Sequence, residues 1–71
     1  MEEMTTMSAI INRFYIIYQE LFTENDALKL INENNRREPE KRIRFVASKM
    51  ERITPEARAL LNANEIPVRF Y

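Results

Sequence analysis

Apolar side chains recur through the first third of the chain with a helix-like period. At about 100° per residue, Met7, Ile10, Ile11, Phe14, Tyr15, Ile17, Tyr18, Leu21 and Phe22 share one face, with Asn12, Arg13, Gln19 and Glu20 opposite. Ile, Phe and Tyr favour strands. However, no two-residue alternation survives across Ile10-Ile11-Asn12-Arg13 or Ile16-Ile17-Tyr18, so length and period select a helix over 7–22, the main wall of the core. Ile16 breaks the pattern by sitting on the polar face, with Ala9 beside it one heptad earlier. It reads either as a single exposed aliphatic, common on monomers, or as part of a second buried face against another chain, which would include Ala9, Arg13 and Glu20.

Three further helices follow from start and stop signals. Thr23, ahead of Glu24 and Asp26, is an N-cap with acids on the positive end of the helix dipole, and Ala27, Leu28, Leu30 and Ile31 supply the apolar side of a helix over 24–34. Pro39 suits a first helical position; Ile43, Val46, Ala47, Met50 and Ile53 then recur at three- and four-residue spacing, predicting a helix over 39–53. Thr54-Pro55-Glu56 repeats the start signal for a helix over 55–63, with Ala57, Leu60 and Leu61 inward. In the tail, Ile66, Val68 and Phe70 alternate around Pro67, which excludes a helix. The tail reads as an extended strap lying across the helices, or as a segment captured by a partner through strand addition or an apolar groove. No internal repeat, low-complexity segment or linker is apparent. The expected fold is all-α: a single domain over 1–71, a small bundle of three to four short helices with an extended C-terminal segment.

Composition narrows the function classes. At 71 residues, one core supplies roughly 3–5 kcal/mol unless something staples it. Cysteine and histidine are both absent, which removes disulfides and a Cys/His zinc site and leaves self-association as the staple, in keeping with 45% apolar residues. Glycine is absent too, so a phosphate-cradling glycine loop or dinucleotide fingerprint is excluded. Positive-φ positions are then expected at asparagines, which cluster at 32, 34, 35, 62 and 64. Glu2 and Glu3 stand where a signal peptide would be basic, and the longest apolar run is too short for a membrane span; the expectation is a cytoplasmic protein with no membrane partner.

The net charge is zero but unevenly spread. Residues 1–35 hold two basic against six acidic side chains, whereas residues 36–52 hold seven basic (Arg36, Arg37, Lys41, Arg42, Arg44, Lys49, Arg52) against three acidic. On a helix over 39–53, Phe45 would lie opposite the apolar stripe among Lys41, Arg42, Lys49 and Arg52. It would then either pack under a loop or the tail, or serve as an interface anchor ringed by cations. Pairs such as Glu38–Arg42 and Glu40–Arg44 contribute only a few tenths of a kcal/mol, which leaves Arg36, Arg37, Lys41, Lys49 and Arg52 free to meet a partner.

Catalysis needs a nucleophile–base pair, paired carboxylates in a cleft or a metal. Without His or Cys, Ser8 and Ser48 lack a conventional base, and the acids are spaced like caps and ion pairs. The sequence therefore points to a non-enzymatic protein-binding module without cofactor: an inhibitor, adaptor or regulatory subunit that forms a homodimer and occupies a surface of a larger protein. The alternative is a small DNA-binding regulator whose helix-turn-helix spans about 24–53 and meets phosphates with Arg36, Arg37, Lys41 and Lys49.

Overall fold

The first apolar stretch is a β-hairpin. A computed structural model describes the backbone of residues 8–11 and all of residues 13–71. In it β1 (Ser8–Ile11) and β2 (Phe14–Ile17) pair antiparallel, with Ala9 opposite Ile16 and Ile11 opposite Phe14. This overturns the helix expected over 7–22. The β-branched and aromatic residues follow their intrinsic preference, and Arg13 lies at the reversal. The missing alternation has a simple cause: β2 carries apolar side chains on both faces, Tyr15 and Ile17 towards the core and Phe14 and Ile16 away from it.

Two strand–helix–strand crossovers follow. From β2 the chain enters α1 (Glu24–Asn35), returns as β3 (Phe45–Ser48), enters α2 (Pro55–Ala63) and finishes as β4 (Val68–Phe70). The sheet order is β1-β2-β3-β4, and β2, β3 and β4 run parallel. The architecture is thus a mix of helix and parallel sheet with two helices, and the all-α helical bundle is wrong. The helix expected over 39–53 is instead a 3-10 turn at Pro39–Lys41, strand β3, and a second 3-10 turn at Met50–Arg52. Its three- and four-residue spacing was a coincidence: Ile43, Val46 and Ile53 are buried, but Ala47 lies on the opposite face of β3 and Met50 is exposed. With no helix there, the helix-turn-helix over about 24–53 is excluded too.

Helices α1 and α2 pack on each other and on one face of the sheet. Ile17, Val46, Ile31, Ala57, Leu61 and Ile66 are buried in one cluster with Phe22. The tail completes that layer as an edge strand: Val46 pairs with Val68 and Ser48 with Phe70. It therefore docks within its own chain, beside β3 and not across the helices.

The two crossovers are built alike. Beyond Ile17 and beyond Ser48 the chain leaves the sheet for four residues and rejoins it at a parallel bridge between Phe22 and Ile53, where the Phe22 N–H donates to Arg52 O at 2.6 Å. A threonine and a helix follow in each case. The paired positions keep a constant offset of 31, as from Phe14 to Phe45 and from Phe22 to Ile53. The chain therefore does contain an internal repeat, a strand–excursion–bridge–helix unit used twice.

The caps carry out what their residues foretold. Thr54 Oγ1 accepts from the Ala57 N–H at 3.1 Å, and the Asp26 carboxylate accepts from the Thr23 N–H at 2.9 Å. Positive φ occurs, among the described residues, at Arg13 (71°) and Glu65 (64°) and not at the asparagines. Glu65 closes α2: its own N–H donates to Asn62 O at 3.1 Å, and the Ile66 N–H donates to Leu61 O at 2.9 Å. This is the Schellman pattern, with glutamate where glycine is usual.

Candidate functional site

With both helices on one side, no helix among the described residues lies on the opposite face of the sheet. Parallel sheets are almost always covered on both faces, so this open face is the feature that calls for an explanation. Strand alternation sets its residues: Phe14 and Ile16 from β2, Phe45 and Ala47 from β3, Arg69 from β4. The first four are partly exposed and Arg69 is exposed.

Phe14 and Phe45 are directly paired neighbours. Their rings stack with centroids 4.1 Å apart and planes inclined by 28°. On the far side of Phe45 lies the Arg69 guanidinium, 4.4 Å from the ring centroid. Both faces of Phe45 are thus occupied, and the stack presents ring edges outward as an apolar ridge. A hollow of about 510 Å³ opens beside it, lined by Arg13, Phe14, Arg44, Phe45, Pro67 and Arg69. Among the described residues no carboxylate lines it.

Arginine gathers here for structural reasons. Arg13, at the hairpin reversal, donates through Nε to Arg42 O at 2.9 Å and through Nη2 to Pro39 O at 3.0 Å. Its own carbonyl accepts from the Arg44 N–H at 2.7 Å. Arg42 in turn donates to Arg37 O at 3.2 Å and to Asn35 O at 3.4 Å, supplying a cation at the negative end of α1, whose last turn has no basic residue of its own. The acids of the helix first turns, Glu24, Asp26 and Glu56, stand at the opposite end of the strands.

The cations expected around Phe45 lie elsewhere. Lys41 is exposed in the 3-10 turn, and Arg42 is engaged with the end of α1. The Lys49 ammonium sits 4.7 Å from the centroid of the Tyr71 ring, and Arg52 Nη1 donates to Tyr18 O at 2.8 Å. Arg36 caps α1, and Arg37 is half-buried against it, lining a second hollow of about 290 Å³ together with Asp26, Lys29 and Glu33. Of the residues expected at a separate self-association surface, Ile16 does lie on the open face, and Ala9 is its partner in backbone register. Arg13 has moved to the basic hollow, and Glu20 is exposed in the excursion after β2. What the sequence presented as two oddities, Ile16 and Phe45, is one continuous face, since Ile16 pairs with Ala47 and Phe14 with Phe45.

Arg44, Arg69 and Phe14 were not anticipated as site residues. Strand parity signals Phe14 and Arg69, but a helix over 7–22 hides the first and the second needs β4 to be placed beside β3; Arg44 enters through its position just before β3. At the carboxyl ends of the strands, Tyr18, Leu21, Met50 and Tyr71 are exposed. Among the described residues no three acids come together as metal ligands, and no helix is long and apolar enough to cross a membrane. Compared with known proteins, the chain matches no family model, no curated protein and no solved structure.

Proposed function

We propose that this chain is a non-enzymatic protein-binding module that docks another protein on the open face of its sheet. The observation that carries the reading is the Phe14–Phe45–Arg69 stack standing on a sheet face that neither helix covers. Aromatic and arginine side chains together are the composition of interface hot spots. Stacked strand–helix steps commonly use their uncovered sheet face for recognition. Ring edges favour a protein surface over nucleic-acid bases, which stack on free ring faces. A face-to-face pair of copies would bring Arg13, Arg44 and Arg69 against their own counterparts, which favours a different protein as occupant over self-association.

A photocrosslinking amino acid placed at Ala47 or, as a control on the helix layer, at Lys29 tests the reading in a native extract. Adducts to another protein are expected from position 47 and not from 29, and they should disappear with Phe45→Ala while the helical circular dichroism is kept. Equal labelling from both positions, or none from 47, overturns it. A uniform adduct of twice the chain mass would assign the face to a second copy.

A further inference from the structure

The open face also specifies the chemistry of its occupant, an inference that rests on the docking role just proposed. Three guanidinium-bearing residues, Arg13, Arg44 and Arg69, line one hollow with Phe14, Phe45 and Pro67, and among the described residues no acid lines it. Arg44 and Arg69 are both exposed. Guanidinium groups present planar forks of donors that fit carboxylates bidentately. Arg13 is held by the Pro39 and Arg42 carbonyls and Arg69 by the Phe45 ring, so two of the three lose little freedom on binding. Beside them runs the ridge of Phe14 and Phe45, continued by Ile16 and Ala47 along the strands. From this juxtaposition we infer that the partner presents an acidic segment in which Asp or Glu alternates with apolar side chains, its carboxylates seated at the basic hollow and its apolar residues along the ridge.

Charge complementarity chooses this occupant over a neutral apolar helix, which would leave three cations facing apolar surface. Single-stranded nucleic acid shares the anionic requirement, but its bases would find Phe45 already covered on both sides.

The test is fluorescence anisotropy with labelled peptides alternating glutamate and leucine, the same peptide with glutamine, and a thymidine oligonucleotide of equal charge. The glutamate peptide is expected to bind at least about tenfold more tightly than the glutamine peptide, with affinity falling as salt rises. Arg44→Gln with Arg69→Gln should erase that preference, and Arg44→Gln alone, at an exposed position, should reduce it by about threefold. Thermal melts check that each variant folds. Equal binding of the two peptides, no binding at about 1 mM, or tighter binding of the oligonucleotide overturns the inference. If Phe45→Ala abolishes crosslinking from position 47 while the arginine variants change nothing, the docking face stands and only its charge preference fails.

Discussion

Asn34 and Ile43 meet as though both belonged to strands: the Ile43 N–H donates to Asn34 Oδ1 at 2.7 Å, and Asn34 Nδ2 donates to Ile43 O at a longer 3.4 Å. Both residues are buried, so the amide ties the last turn of α1 to the entry of β3 and leaves neither backbone group orphaned. Asn34→Ala removes that partner in a place where water enters poorly. A loss of about 1–3 kcal/mol in urea unfolding is expected. An unchanged midpoint would mean that solvent reaches Ile43 after all.

Neighbouring isoleucines in β2 should respond in opposite ways to the same substitution. Ile17 is fully buried, whereas Ile16 lies on the open face. Ile17→Glu places a charge in the core and should abolish the cooperative thermal transition. Ile16→Glu should shift stability by less than about 1 kcal/mol. Similar losses at both positions would contradict the assigned faces of the strand.

Phe14 and Phe45 should be energetically coupled. A double-mutant cycle with leucine at each position is expected to give about 0.5–1.5 kcal/mol of interaction. Additive effects would show that the stacked rings merely coexist. The cycle is read by denaturant unfolding and is independent of any partner.

The two positive-φ residues make a matched pair of opposite sign. Glu65→Gly relieves a left-handed glutamate whose side chain makes no hydrogen bond that closes the turn, and should raise stability by about 1 kcal/mol. Arg13→Gly relieves similar strain but also deletes both guanidinium bonds to Pro39 and Arg42. It should give no gain. Thermal unfolding of the two variants side by side makes the comparison.

The legible parts of the sequence were the local ones. Thr23 and Thr54 announce their helices because capping chemistry resides in three or four consecutive residues. The inward alternation of Ile66, Val68 and Phe70 was visible for the same reason. The strands were misread because both faces of this sheet carry apolar side chains, so the two-residue period never appears as hydrophobic against polar. In β3, from Phe45 to Ser48, burial alternates, but Phe45 and Ala47 on the outside conceal it. The repeat stayed hidden because the two units share few identical residues, Phe14/Phe45, Glu20/Glu51, Thr23/Thr54 and Leu30/Leu61 among them, and because β3 and β4 are spaced by 22 where β2 and β3 are spaced by 31. At the site, Phe45 and Ile16 were recognisable as misplaced side chains, while their cationic neighbours depended on pairings between distant strands.

The repeated strand–helix unit makes this a modular architecture. Each step leans mainly on its immediate neighbours, so tandem duplication of one unit would widen the recognition surface by a strand without requiring a new kind of core. Conversely, the two steps can diverge in surface chemistry almost independently, provided that the bridge at Phe22 and Ile53 and the threonine after each is kept.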